Sequence, residues 1–315
     1  MSSDQSPKPS AAPALAQHGN DEVLIIGAGP TGLAAALFLA DRGRRVRIIE
    51  RRTERSIRSK AFGVNARTLE LLAASGVTER FLANGRRLAR LELRHKGRVR
   101  ATVRFGRVEH RFPFMVVQSQ ADSERILEQA LAERNVNVER GIAATGIDTN
   151  DGHAVVHTER ANRVGRIEAT TVLAADGSNS TIRHVLDIPF EGEASDEPWQ
   201  LYDVELHIPV DAGVSSDAAH VHLLDNGAMF LVRHDDRLWR VLGNVPDLLS
   251  ALPDGTQVGD IAWQSDFGIA NRVASSFAKP PVYIAGDAAH IHSGIGARGM
   301  NLGIEDAYVF AALYD

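Results

Sequence analysis

The residues with most chemistry in them begin at position 27. Gly27-Ala28-Gly29-Pro30-Thr31-Gly32 is a GxGxxG sequence. Its spacing suits a diphosphate: Gly27 permits a tight turn, Gly29 lets a pyrophosphate approach the backbone, and Gly32 lets a helix pack closely on a strand. Pro30 falls near the first helical turn, where a missing N–H costs least. Glu50 stands 18 residues past Gly32, near the ~20 at which a carboxylate accepts from ribose hydroxyls. A second group lies near the other end. Asp287 follows the apolar run Val282–Ala285, at the strand end where ligands of doubly wound sheets bind. Gly299-Met300-Asn301 then reads as the opening of a helix whose N–H groups face negative charge. Between the two, Asp176-Gly177 follows apolar Val172–Ala175, with Ser180 and Arg183 on an ensuing helix.

Other constellations carry less. His290 and His292 form an HxH pair without a third ligand placed by spacing, and zinc sites want three or four. His220 and His222 fall on one face of an expected strand, where partly exposed sheet histidines are the commoner case. There is no cysteine, hence no disulfide, thiolate metal site or Cys nucleophile, and this fits a cytoplasmic protein. No GxSxG elbow is present.

The elements that would position these groups are legible. Val23–Ile26 is a short apolar run ending at glycine, as a buried parallel strand should. Residues 32–42 predict a helix stopped by Gly43, and Val46–Glu50 a second strand. Strand, glycine turn, helix and strand make one βαβ unit, so the GxGxxG sits in the context that gives it meaning. Residues 67–75 predict a helix ended by Gly76. Arg90–His95 and Arg98–Phe105 predict a hairpin across Lys96-Gly97, and Asp122 a cap for a helix to about Asn135. His153–Thr158 and Ile167–Ala174 predict strands. Residues 190–264 alternate between Asp, Asn and Gly turns, the pattern of an antiparallel sheet. The fold class expected is α/β: a Rossmann-like domain with an inserted, mainly antiparallel β-sheet domain.

Composition sets the limits. The chain has 315 residues, 44% hydrophobic and 24% charged, with a net charge of −5. Its basic residues read as scattered, with no nucleic-acid footprint or polybasic membrane face. No stretch approaches the ~20 apolar residues of a membrane span. Residues 1–20, rich in Ser, Pro and Ala, predict a disordered tail. The sequence stops at Asp315 inside an expected helix, which suggests a truncation.

With these motifs together, residues 21–313 resemble the single-component FAD-dependent aromatic hydroxylases, the class A flavoprotein monooxygenases. The resemblance rests on Gly27–Gly32, on Asp176–Arg183 (the DGxxSxxR pattern), and on Gly286-Asp287 with Gly299–Ala307. It implies FAD as cofactor, NAD(P)H as transient electron donor, and transfer of one oxygen from O₂ to a phenol-like ring through a flavin C4a-hydroperoxide. It implies that Asp287 binds a ribityl hydroxyl, that Asp176 supports the pyrophosphate, and that Gly299, Met300 and Asn301 face the flavin pyrimidine ring. Arg51, Arg58 and Lys60 resemble a flavin-contacting loop, and Gln118 a glutamine near the ribityl chain. Surface solvation is an equal reading for Lys60, where the family usually has arginine. Gly294 stands where the family usually has proline.

The implied FAD-binding domain is discontinuous, over 21–73, 107–185 and 265–315, with 74–106 and 186–264 forming the substrate domain. Tyr202, His222, Arg233 and Arg240 are polar groups on expected strands there that could face the substrate, with Gly294 beside the reaction site. No second GxGxxG is present, so NAD(P)H is expected to dock in the cleft. Homodimer formation stays open. An epoxidase or a quinone or polyketide hydroxylase is one alternative, and a non-catalytic FAD-binding remnant another.

Overall fold

A computed structural model describes residues 22–56, 62–107, 109–150, 152–294 and 297–314. Arg58, Lys60 and the expected tail at 1–20 lie outside the described residues. The chain opens with β1 (Glu22–Ile26), α1 (Pro30–Asp41) and β2 (Arg45–Glu50). Next come β3 (Gly63–Val64), α2 (Ala66–Ala73), α3 (Thr78–Asn84) and β4 (Arg86–Leu88). A hairpin of β5 (Arg90–His95) and β6 (Arg98–Arg104) follows. Its two turn residues, Lys96 and Gly97, have φ of 49° and 72°, the left-handed pair that matches strand twist.

After β7 (Met115–Val117), α4 spans Gln120–Ala132. Its cap is Ser119, not Asp122 as the sequence suggests. Ser119 accepts from the Asp122 N–H at 3.0 Å, and Asp122 sits in the first turn. Strands β8 (Val138–Arg140), β9 (Ala143–Asn150), β10 (His153–Arg160) and β11 (Arg163–Ala169) come next. The expected strand 167–174 is two strands, because the chain passes from β11 into β12 (Thr171–Ala174), which belongs to a different sheet. Helix α5 (Thr181–Val185) leads to β13 (Phe190–His207), β14 (Ala218–Leu224), β15 (Gly227–Arg233) and β16 (Leu238–Gly243). The described chain ends with β17 (Gln257–Ala274), β18 (Ala278–Lys279), β19 (Val282–Ile284), β20 (His290–Ile291) and α6 (Gly299–Leu313).

These strands make an α/β architecture. The first sheet has order β18-β19-β12-β1-β2-β8, parallel throughout except for β18. Its central strands are apolar on both faces because both are covered. Leu33, Leu37, Ile126, Leu127 and Ile304 of α1, α4 and α6 pack one face. The three-stranded sheet β11-β10-β9 packs the other through Ile147, Val156 and Ile167. The second large sheet has order β20-β17-β13-β16-β15-β14-β5-β6 and is antiparallel except at β14–β5. It therefore joins the hairpin at 90–104 to the strands after 190. Strand β17 runs unbroken through residue 264 to Ala274. Strand β20 pairs with β17, and so ties this sheet to the loop after β19.

Candidate functional site

The ends of β1, β2, β12 and β19 open on one cleft of about 450 Å³. It is lined by Gly27, Gly29, Pro30, Thr31, Glu50 and Arg51 from the first βαβ unit, by Asp176, Gly177 and Thr181, and by Asp287, Gly294, Gly299 and Met300. Three segments far apart in sequence thus share one wall, at the carboxyl edge of a parallel sheet.

Local geometry explains why each residue type is needed. Gly27 has φ of 103°, and a Cβ there would lie 2.3 Å from the Ala175 carbonyl oxygen. A Cβ on Gly32 would meet the Gly27 carbonyl oxygen at 1.9 Å, so only glycine lets α1 close on the turn. Gly29 is different: nothing lies within 4 Å of its Cβ position, and it caps α1 without a side chain. The first N–H groups of α1 therefore stand open on the cleft, with the helix dipole behind them. Thr31 joins the two ends of the sequence, since a Cβ on Gly286 or Gly303 would lie 2.4 Å or 2.2 Å from its Oγ1.

Glu50 is buried, and its Oε2 accepts from the Ala28 N–H at 2.8 Å. Its Oε1 accepts from the Arg52 N–H at 3.0 Å and from Arg52 Nε at 2.9 Å. Burial pushes the carboxyl up, but the two backbone donors and the Arg52 guanidinium together hold it below the usual glutamate value. Asp176 has one buried oxygen, Oδ1, without a partner among the described residues. Behind it, buried Arg183 donates to the Ala288 and Ser178 carbonyls at 2.9 Å each and stacks on Phe190 at 3.9 Å. The last residue of that motif therefore holds the Asp287 loop from inside.

Just after Asp287, His290 Nε2 lies 2.7 Å from Asp306 Oδ2, which also accepts from the Gly286 N–H at 2.9 Å. The bond to Asp306 raises the His290 pKa against the effect of burial. This ties the turn before Asp287 to α6. His292 turns to the Ser293 carbonyl at 2.8 Å, so the two histidines of the HxH pair have separate partners.

Two expected cofactor contacts point elsewhere. Gln118 is 3% exposed, with its amide 3.1 Å from Ser123 Oγ. Gln120, two residues on, lines the cleft in its place. Asn301 is also 3% exposed. It accepts from the Asn65 N–H and Thr68 Oγ1 at 3.0 and 2.7 Å and donates to the Gly63 carbonyl at 2.8 Å. It clamps α6 to β3 and α2, and Arg298 lines the cleft just before it. Phe62, Ile142, Ala143, Ala144 and Thr181 also line the cleft without having been singled out in the sequence, and His292 of the HxH pair lines it too. The apolar ones carry no chemical signature. Arg298 had a signal, as the cation adjoining the Gly299 helix start.

The four expected substrate-facing residues separate by sheet face, because successive side chains alternate. Tyr202 pairs with Val241, His222 with Met229, and Arg233 with Trp239. All three therefore share the side of Val204, Met229, Leu231 and Trp239, away from the cleft. His222 is buried there with Nε2 unpartnered among the described residues, and burial, then His220 and Arg94, lower its pKa to about 4. Arg233 is bound to the Asp235 carbonyl at 3.0 Å and to that of Asp236. Arg240 is on the opposite side. It is 1% exposed, forms two bonds of 2.8 and 2.7 Å to Asp203, and lies over Phe62 and Trp263 at 5.1 and 5.7 Å. Phe62 is itself part of the cleft wall.

This donor set fits an ADP-bearing flavin. Among the described residues, Asp176 Oδ1 is a buried acceptor without a donor, and Cβ positions at Gly29, Gly177, Gly294 and Gly299 meet nothing within 4 Å. Known proteins agree. The family described as FAD binding domain matches residues 20–242 and 235–313. The chain belongs to that family.

Among its relatives, 6-methylpretetramide 4-monooxygenase of Streptomyces rimosus is 31% identical over 92% of this chain and 55% of its own length. Pentachlorophenol 4-monooxygenase of Sphingobium chlorophenolicum is 29% identical over 93% of this chain and 57% of its own. The chain thus spans little more than half the length of these curated relatives. Among solved structures, the anhydrotetracycline hydroxylase of Streptomyces rimosus superposes with a TM-score of 0.77 at 26% identity, over 92% of this chain and 60% of that one. The p-nitrophenol 4-monooxygenase of Pseudomonas putida shares the fold, with a TM-score of 0.82 at 23% identity over 93% of this chain and 79% of that one. No helix among the described residues is long and apolar enough to cross a membrane.

Proposed function

We propose that the chain is the flavin-holding part of an FAD-dependent aromatic monooxygenase, which uses NAD(P)H and O₂ to hydroxylate a phenol-like ring. The observation that carries this is the convergence of Gly27–Thr31, Asp176 and Asp287 with the start of α6 on one cleft, beside an aromatic-lined sheet face. The balanced reaction takes ArH, O₂, NAD(P)H and a proton to ArOH, water and NAD(P)⁺. When bound, the flavin supplies hydride acceptance and O₂ activation.

The protein's share is binding, orientation and exclusion of water. The open N-terminus of α1 offers N–H groups and positive potential to the diphosphate. Glu50 would accept from ribose hydroxyls and Asp287 from a ribityl hydroxyl, while Asp176 would support the loop beside the pyrophosphate. Arg298 and the first N–H groups of α6 place positive potential where the flavin ring gains charge on reduction. Phe62, Ile291 and Met300 supply apolar walls that keep water off the ring. Arg240, locked by Asp203, fixes Phe62 against the sheet face on which the substrate would lie.

The test is NAD(P)H oxidation by the flavin-loaded protein with a panel of phenols and a panel of alkenes under ¹⁸O₂. The account expects stimulation by phenols and one ¹⁸O in the product. Stimulation by alkenes alone would favour an epoxidase, and flavin retention without any stimulation a non-catalytic role.

A further inference from the structure

The expectation of scattered basic residues fails in one segment, and the structure gives that segment a position. From Arg86 to Arg111 there are nine Arg and one Lys against two acidic residues, Glu92 and Glu109, a net charge of +8. The rest of a chain totalling −5 therefore carries −13. Part of this charge is neutralised. Arg86 pairs with Asp236, Arg90 with Glu92 and Asp217, and Arg94 with Glu92. The arginines of β6 are not, and a one-residue bulge at Arg100 turns Arg98 to the opposite face of the sheet from Arg104. Arg98, Arg100 and Arg104 are exposed and have no carboxylate partner among the described residues, nor does Arg107 just beyond.

Strand β6 is also the last strand of the eight-stranded sheet. It pairs with β5 on one side, and no hydrogen bond among the described residues reaches the backbone groups of its other side. Its apolar side chains Val99 and Val103 remain 46% and 56% exposed. A free edge of this kind is a template for another strand. A second copy pairing through β6 would bring two arginine-rich, bulged edges together, which like-charge repulsion disfavours. The charge thus blocks self-association and selects an acidic partner.

We propose that β6 is a docking edge for an extended, acidic peptide segment of a partner protein, which adds as a ninth strand. Main-chain bonds to the free edge would supply affinity, and the exposed arginines on both faces of that edge would supply specificity for acidic side chains. A nucleic acid would answer the arginines alone, leaving the free ladder groups and Val99 and Val103 without counterparts. An anionic membrane would do the same, and bare strand edges are not tolerated in lipid. The inference goes beyond the flavin reading and does not depend on it.

The test is fluorescence anisotropy of the whole protein with a labelled ten-residue peptide of alternating Glu and Val. Controls are the same peptide with Pro at two alternate ladder positions, one with Lys for Glu, an oligonucleotide of equal charge, and anionic phosphatidylserine vesicles. The proposal predicts saturable binding to the Glu-Val peptide that weakens with salt. It predicts at least tenfold weaker binding to the Pro and Lys peptides. Arg98→Glu, Arg100→Glu and Arg104→Glu together should weaken the Glu-Val peptide at least tenfold, with circular dichroism checking the fold and single Arg100→Glu read if the triple variant does not fold. Absence of binding would leave the arginines as a guard against edge pairing and overturn the proposal. So would equal binding of the Pro peptide, or tighter binding of the oligonucleotide or vesicles.

Discussion

Glu50 does two jobs through the same carboxylate: it fixes the glycine turn through Ala28 and faces the cleft where a ribose would lie. Glu50→Gln keeps the shape but turns one acceptor into a donor and removes the charge that orders Arg52. Loss of one charge-assisted bond is worth about 1.5–3 kcal/mol, so FAD affinity measured by flavin fluorescence quenching should fall roughly ten- to hundredfold. Unchanged affinity would remove Glu50 from the site. Thr31 offers a second residue-level test. Gly303→Ala should clash with Thr31 Oγ1 and cost about 1–3 kcal/mol in denaturant unfolding, and the added change Thr31→Ala should restore part of it. Gly27 and Gly32 were legible in the sequence because the close backbone approaches forbid a side chain there, whereas Gly29 leaves open space above the turn. The inward turn of Gln118 and Asn301 was not legible, because proximity in sequence does not say which way a polar side chain turns. Both are satisfied by inward partners, Ser123 for one and Asn65, Thr68 and Gly63 for the other.

At the scale of elements, polar bridges join strands and helices that the sequence shows separately. Arg240 on β16 and Asp203 on β13 form a pair of which Arg240 is wholly buried. Removing one partner of such a pair typically costs about 3–5 kcal/mol, whereas replacing both can be neutral. Arg240→Met should therefore destabilise strongly, and Arg240→Met with Asp203→Leu should recover most of the loss. A loss equal in the double variant would mean that contacts of the arginine other than its pair with Asp203 carry the stability. The His290–Asp306 bridge between the Asp287 loop and α6 carries a pH signature. Its His pKa is raised in the folded state, so its stabilisation is complete below the ordinary value of about 6.5 and is lost as pH rises through the raised value. Thermal melts from pH 5 to 9 should show this loss in the native protein and not in Asp306→Asn. Alternation predicted the antiparallel strands, yet the face each residue takes depends on pairing register and bulges. That is why Tyr202, His222 and Arg233, expected to face the substrate, lie on the sheet face away from the cleft.

For the whole molecule, the α/β class and the parallel βαβ start followed from periodicity, since their strands are short, apolar and ended by glycine. The convergence of residues 27–50, 176–181 and 287–300 did not follow from spacing. It arises because β1, β12 and β19 are adjacent in one parallel sheet, an order set by tertiary packing. The union of the 90–104 hairpin with strands after 190 in one sheet is of the same kind, through the β14–β5 pairing. The division of the chain between cofactor and substrate regions is our proposal, and β17, which crosses residue 264 and reaches β20, would be the strand that couples them. The central claim is that the cleft at these strand ends holds FAD, and it is tested most directly by the visible absorption spectrum of the purified chain with identification of any released chromophore. The account predicts flavin absorption, with FAD released on denaturation or taken up on addition at about one per chain. A folded protein that is colourless and binds no added FAD would contradict it.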